Sequence, residues 1–222
     1  VCVFEMQVKA LTAHIEGHLR RLDAARALLA GEIAGADTTS GGAETAQIER
    51  AARLTSFGLT QGDPDLPVEG ISLEEATLFC EWLSAIRGER ILLPSEAEWE
   101  YAASSRGRYA FPWGDDWDPL LANTAEAGPG HATKTGMFTA GRSMEGIEDL
   151  AGNLEEWTRS PYQPYPGGML VRDLIFHEQG PGYHVLRGGC YKLNGDLCLA
   201  KRRHGFRANY AITGLRLVRH LA

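Results

Sequence analysis

Cys190 and Cys198 stand in the stretch "VLRGGCYKLNGDLCLAKRRHG", residues 185 to 205, directly after a glycine pair and before a run of basic side chains. Two thiols this close could hold a soft metal ion as thiolates, or cycle between dithiol and disulfide. A hairpin or loop between them would let the sulfurs meet. A continued strand would instead turn Cys190 to the face opposite Tyr191. The remaining cysteines, at positions 2 and 80, complete neither a disulfide framework nor a CxxC zinc signature. Cys80 falls on the apolar face of a helical stretch and reads as a small buried hydrophobe. His14 and His18 are spaced i, i+4, as paired metal ligands on one helix face often are. The surrounding "AHIEGHLRRL" is equally an amphipathic helix with exposed histidines. No G-x-S-x-G elbow and no phosphate-binding glycine loop occurs, which removes the serine-hydrolase and nucleotide-loop classes.

The elements that must carry these residues are uneven along the chain. "CVFEMQVKA" reads as a strand, and Ile15, Leu19, Leu22 and Leu29 predict a helix from about Thr12 to Ile33. A polar glycine-rich loop over residues 35 to 45 and a short helix around Ala46 to Leu54 follow. "SLEEATLFCEWLSAIRG" opens with a capping box, Ser72 and Glu75, in which each side chain satisfies the other residue's free backbone N–H. Ala76, Phe79, Cys80 and Leu83 form one apolar face, and Gly88 ends the helix. "LPSEAEWEYAASSRG" repeats the device with Ser95 and Glu98, turning Trp99 and Ala102 inward. From Arg108 onward helical periodicity is almost lost, and short apolar pieces alternate with "FPWGDD", "GPG", "AGN", "YPGG" and "RGG". Pro112-Trp113-Gly114 reads as a tight turn whose indole plugs the core. The whole is one irregular α+β domain over residues 1–222, loop-rich, with short strands and two to three helices.

Composition narrows the class further. A length of 222 residues and a hydrophobic fraction of 44% suit a single large globular domain, and 26 glycines favour loops over a helical bundle. The net charge of −7 argues against nucleic acid as the main partner. The local cluster Lys201-Arg202-Arg203-His204 with Arg207 reads as a solvated rim. No apolar run is long enough to span a bilayer, and "VCVFEMQVKA" lacks the pattern of a signal peptide. The expected setting is cytoplasmic and reducing. The chain starts without Met, so a processed product or a piece of a larger protein is expected.

Taken together, "PVEGISLEEATLFCEWLSAIRGERILLPSEAEWEYAA", "FPWGDDW", "GIEDLAGNLEEWT", "VLRGG" and "TGLRLVR" resemble the formylglycine-generating enzyme, or sulfatase-modifying-factor, superfamily. The resemblance covers roughly residues 4 to 219, with residues 35 to 62 matching poorly and the family's preceding hairpin not seen. It implies a C-type-lectin-like fold of the formylglycine-generating-enzyme type. It also implies calcium sites: Asn153 with Glu156 in one loop, and Asn123 with the Thr124 carbonyl in another, hard oxygen ligands suited to Ca²⁺. Asn153 could equally hold its own turn by hydrogen-bonding the backbone.

In oxidase members of this superfamily two cysteines follow the glycine pair and bind copper. Counting from Gly188-Gly189, Cys198 takes the second position and Leu193 the first. Leu cannot ligate a metal, so copper is not expected unless Cys190 reaches across. Cys198 and Cys190 are the catalytic candidates on that condition.

The resemblance to variable proteins of diversity-generating retroelements implies another use, a recognition face after "RGG". It would comprise Tyr191, Lys192, Leu193, Asn194, Asp196, Lys201, Arg203, His204, Phe206, Arg207, Asn209 and Tyr210, a mixture suited to a protein or small-molecule ligand. A binding module without copper chemistry is therefore the first expectation. A divergent O₂-dependent metal oxidase, of the formylglycine-generating or iron sulfoxide-synthase kind, is the alternative.

Overall fold

A computed structural model of the chain describes residues 2–3, 65–168, 182–207 and 211–220. The expected helix from Thr12 to Ile33 with His14 and His18, the loop over 35 to 45, the helix around Ala46 to Leu54, and Asn209 and Tyr210 lie outside the described residues. So does all of the first expected strand except Cys2–Val3, which forms β1.

Helix α1, Leu73–Arg87, starts where the sequence predicts: Ser72 Oγ accepts from Glu75 N–H, and the Glu75 carboxylate accepts from Ser72 N–H. Gly88 stops it with φ 63°, a left-handed cap that costs a glycine no Cβ clash. The buried face is Ala76, Phe79, Cys80 and Leu83. It packs on Ile91 of β2, Arg90–Leu92, and on Leu93, Trp157, Leu186 and Leu217, forming the main core. Full burial of an aliphatic or aromatic side chain contributes roughly 1.5–3 kcal/mol, so this face holds the helix in place. Helix α2, Glu96–Ala103, has the second capping box, with Ser95 Oγ accepting from Glu98 N–H. Its Trp99, Ala102 and Ala103 pack on Leu150 and Ala200 in a second cluster.

Two sheets frame these helices. In one, of order β1-β7-β2, the central strand is β7, Val218–His220, antiparallel to both neighbours. The other runs β5-β4-β3-β6, with β3 spanning Glu155–Pro161, β4 His184–Arg187, β5 His204–Phe206 and β6 Thr213–Leu215. Strand β3 lies antiparallel to β4 and parallel to β6, which pairs Glu155 with Thr213 and Glu156 with Gly214. Beyond Ala103 the described helical pieces are single 3₁₀ turns, at Pro119–Leu121, Thr139–Gly141 and Gly195–Cys198. The architecture is the expected α+β one.

Loop crossings are tight. Asn153 N–H donates to the Asn123 carbonyl at 2.8 Å, and a Cβ on Gly152 would lie 2.3 Å from that same oxygen. Only glycine fits there, at φ 76°. Phe111 and Gly114 close the "FPWG" turn through reciprocal backbone hydrogen bonds. Trp113 is partly buried there, stacked on Phe111 at 5.6 Å, and packs with Trp117 against the buried cluster of Ala122, Ala151 and Cys198.

Candidate functional site

The segment between the two thiols is neither a strand nor a hairpin. After β4 it turns at Tyr191 and Lys192 and winds through the Gly195–Cys198 turn. Gly195 has no room for a side chain, because a Cβ would lie 2.0 Å from the Trp117 indole. Both cysteines are fully buried and free. The Cys198 sulfur packs over the glycine pair: a Cβ on Gly189 would meet it at 2.6 Å. Burial pushes the Cys190 thiol up to about 11 and the Cys198 thiol up to about 12, only partly offset by nearby backbone N–H groups. A charge on Cys190 would push Cys198 further up. Burial thus favours the neutral thiol over the thiolate at both positions, which slows attack on disulfides, whereas a bound metal would itself displace the proton. Leu193 packs against the Cys190 cluster with Ala132, Leu154, Tyr191 and Ile212.

Around this core three buried carboxylates meet arginines from distant segments. Glu155 accepts from Arg202 Nη1 at 2.6 Å, and His204 Nδ1 lies 2.9 Å from its other oxygen. Glu156 accepts from Arg216 Nε and Nη2 at 2.9 and 2.7 Å, and from Trp99 Nε1 at 2.6 Å. Glu96 accepts from Arg187 Nη2 and, through both oxygens, from Arg203. Arg203 in turn lies over the rings of Tyr162 and Tyr165, at 5.0 and 4.6 Å. Each arrangement exchanges water for fixed partners, and removing one member of such a pair typically costs 3–5 kcal/mol.

This changes the expected recognition face and the expected rim. Arg202, Arg203 and His204 reach inward to carboxylates instead of forming a solvated rim. Tyr191 is buried, with its hydroxyl donating to Glu69 at 2.7 Å. Phe206 packs on the main core. Of the expected set, Lys192, Asn194, Asp196, Lys201 and Arg207 are exposed. Lys192 and Arg207 lie over the rings of Tyr191 and Tyr183, at 5.3 and 5.4 Å.

The expected calcium ligands separate in the same way. Both oxygens of Glu156 accept from Arg216 or Trp99, and among the described residues no side-chain hydrogen bond joins Glu156 to Asn123 or Asn153. Asn153, at φ 63°, accepts through Oδ1 from Thr133 N–H and Asn123 Nδ2, which is the turn-holding role. Asn123 Oδ1 is different: it is buried with no hydrogen-bond partner among the described residues. It faces Gly128, where a Cβ would lie 2.1 Å from it and 2.6 Å from the Thr124 carbonyl. An orphaned acceptor beside a carbonyl fits a hard cation. Among the described residues no cluster of His, Cys, Asp or Glu could hold a metal.

A cavity of about 390 Å³ opens between residues 108–115 and 199–202. Its walls are Arg108, Tyr109, Ala110, Asp115, Leu199, Lys201 and Arg202. The sequence reading passed over Arg108 and Tyr109, because nothing in "SSRGRYAFPWG" shows that it meets the segment after Cys198. The hydrogen bond from Ala200 N–H to the Ala110 carbonyl, 2.8 Å, joins them.

Residues 29–221 match the sulfatase-modifying factor enzyme 1-like domain. A hercynine oxygenase of Mycolicibacterium thermoresistibile is 32% identical over 154 residues, 64% of this chain and 33% of that protein. The inactive C-alpha-formylglycine-generating enzyme 2 of Mus musculus is 36% identical over 119 residues, 48% of this chain and 36% of that protein. The chain thus spans about a third of the length of these two relatives. PvdO from Pseudomonas aeruginosa aligns with TM-score 0.60 at 23% identity, covering 72% of this chain and 64% of that one. Treponema denticola variable protein 1 aligns with TM-score 0.59 at 19% identity, covering 69% and 71%. The two structures share the fold, and the sequence match extends over most of the chain. This chain belongs to the sulfatase-modifying factor enzyme 1-like family.

Proposed function

We propose that this chain is a binding domain of the family, without copper oxidase chemistry, that recognises a protein or small-molecule ligand through exposed positions after the glycine pair. The observation that carries this reading is Leu193, packed in the apolar cluster beside Cys190, with both cysteines buried as neutral thiols. Cu(I) needs soft anionic ligands, and forming them here would cost the desolvation that raises both thiols. Lys192, Asn194, Asp196, Lys201 and Arg207 stay exposed and supply charge of both signs. A Cu(I) titration against a competing chelator tests this. Weak binding, unchanged in Cys198→Ser, is expected; tight one-to-one binding lost in Cys198→Ser overturns the reading.

The second reading is a metal-dependent oxidase, favoured by the similarity to a hercynine oxygenase. Its metal ligands would come from outside the described residues, where His14 and His18 lie. O₂ consumption dependent on Fe(II), hercynine and a thiol, and lost in His14→Ala/His18→Ala, would establish it over the first. Calcium is proposed at Asn123 and Thr124 alone. There Asn123 Oδ1 and the Thr124 carbonyl would hold the ion and brace the loop on Gly152.

A further inference from the structure

We infer that the cavity between residues 108–115 and 199–202 binds a small carboxylate with an apolar body. This rests on the reading of the chain as a binding domain and names the ligand class. Arg108, Lys201 and Arg202 line the cavity with Asp115, and Glu155 meets Arg202 from behind, which leaves three cations against two carboxylates. The chain as a whole carries −7, so this local excess of positive charge runs against its overall balance. Asp115 already accepts the Ala110 N–H at 3.0 Å, which ties it to the wall. Arg108 and Lys201 make no side-chain hydrogen bond or ion pair among the described residues. Like charges gathered around one recess are costly unless an anion joins them.

Arg202 gives the cavity its geometric preference. Both of its hydrogen bonds, to Glu155 Oε1 and to the Leu197 carbonyl, leave from Nη1. Glu155 is fully buried, so the guanidinium is anchored from inside. The Nε–Nη2 edge remains without a partner among the described residues. Arg203 and Arg216 use that same edge to grip Glu96 and Glu156 with two donors each. A pre-anchored fork of this kind matches a carboxylate, which accepts two parallel N–H bonds. The opposite demand comes from Tyr109, Ala110 and Leu199, which present an aromatic ring and aliphatic carbon to the same space. A volume of about 390 Å³ lies at the small end of ligand pockets and suits a compact organic acid.

Phenylacetate, its neutral analogue phenylacetamide and inorganic phosphate are the probes, titrated into the whole chain by calorimetry with a copper chelator present. Phenylacetate should bind saturably at one site, and the amide should not. Arg108→Glu and Lys201→Glu should each weaken phenylacetate at least about tenfold, since each reverses a charge on the wall. Arg87→Glu, an exposed cation at the C-terminal end of α1 and off the cavity, should leave it within about twofold. Unfolding midpoints equal to wild type confirm that the variants fold. Amide binding as tight as the acid, phosphate binding as tight as phenylacetate, or an equal loss in Arg87→Glu overturns the assignment. Copper is excluded throughout, so the outcome is independent of the Cu(I) titration. A chain that grips copper yet takes phenylacetate sinks the binding-domain reading alone. A chain that ignores both sinks the cavity alone.

Discussion

Replacing Arg216 with Met tests whether the buried carboxylates are structural. Arg216→Met keeps a long unbranched side chain but removes two donors from Glu156 and the bonds to the Glu148 and Asp149 carbonyls. Glu156 is 7% exposed and would keep only the Trp99 indole. Stranding a buried charge costs about 3–5 kcal/mol. For a domain of this size that lowers the melting temperature by roughly 6–20 °C. The double variant Glu156→Gln/Arg216→Met removes the stranded charge while the amide oxygen still accepts from Trp99. What remains is mainly the loss at two carbonyls, about 1 kcal/mol each. The double variant should therefore be more stable than Arg216→Met by about 1–3 kcal/mol. Urea unfolding followed by tryptophan fluorescence, compared at equal m-value, measures both. A double variant no more stable than the single one would refute the argument.

Four further outcomes follow from the same geometry. The native thiols of Cys190 and Cys198 should resist iodoacetamide at pH 8 and react only on unfolding. Their ordinary value is 9.0, and folding raises it to about 11 and about 12. The folded chain thus keeps protons that the unfolded chain releases, so stability falls as pH rises above about 9 and levels off past about 12, which urea midpoints across pH 8 to 12 would read. Gly152→Ala should cost about 3 kcal/mol or more, because its Cβ would lie 2.3 Å from the Asn123 oxygen at a φ of 76°; soluble protein with a wild-type melting temperature contradicts the crossing. Calcium should raise the melting temperature of the wild type and of Glu156→Gln but not of Asn123→Ala, and a response lost in Glu156→Gln instead would return that carboxylate to the ion.

What could be read from the residues depends on how far apart the interacting groups stand. The two capping boxes, the Gly88 stop and the inward face of α1 were legible because each is written within one or two helical turns. Leu193 was legible as a break in the copper pair by counting from the glycines. The destinations of Arg203, His204 and Arg216 were not. A cation does not name its carboxylate, and Glu96, Glu155 and Glu156 are reached only once β3, β4 and β6 are aligned. Asn153 and Glu156 lie three positions apart, yet the chain turns the first onto Thr133 and the second onto Arg216. Spacing alone therefore overstated their partnership. The cavity was invisible for the same reason: its two walls come from distant segments, joined by a backbone hydrogen bond between Ala200 and Ala110.

Strand β7 sits between β1 and β2, and its partners Val3 and Leu92 both flank Val218. During synthesis the two outer strands leave the ribosome long before the one that joins them. Until Val218 emerges, each exposes an unpaired edge, and the Ile91 face of the core lacks its neighbour. A nascent chain that has not yet exposed Val218 would thus present its sheet open at the middle, at the stage when chaperones and proteases sample it.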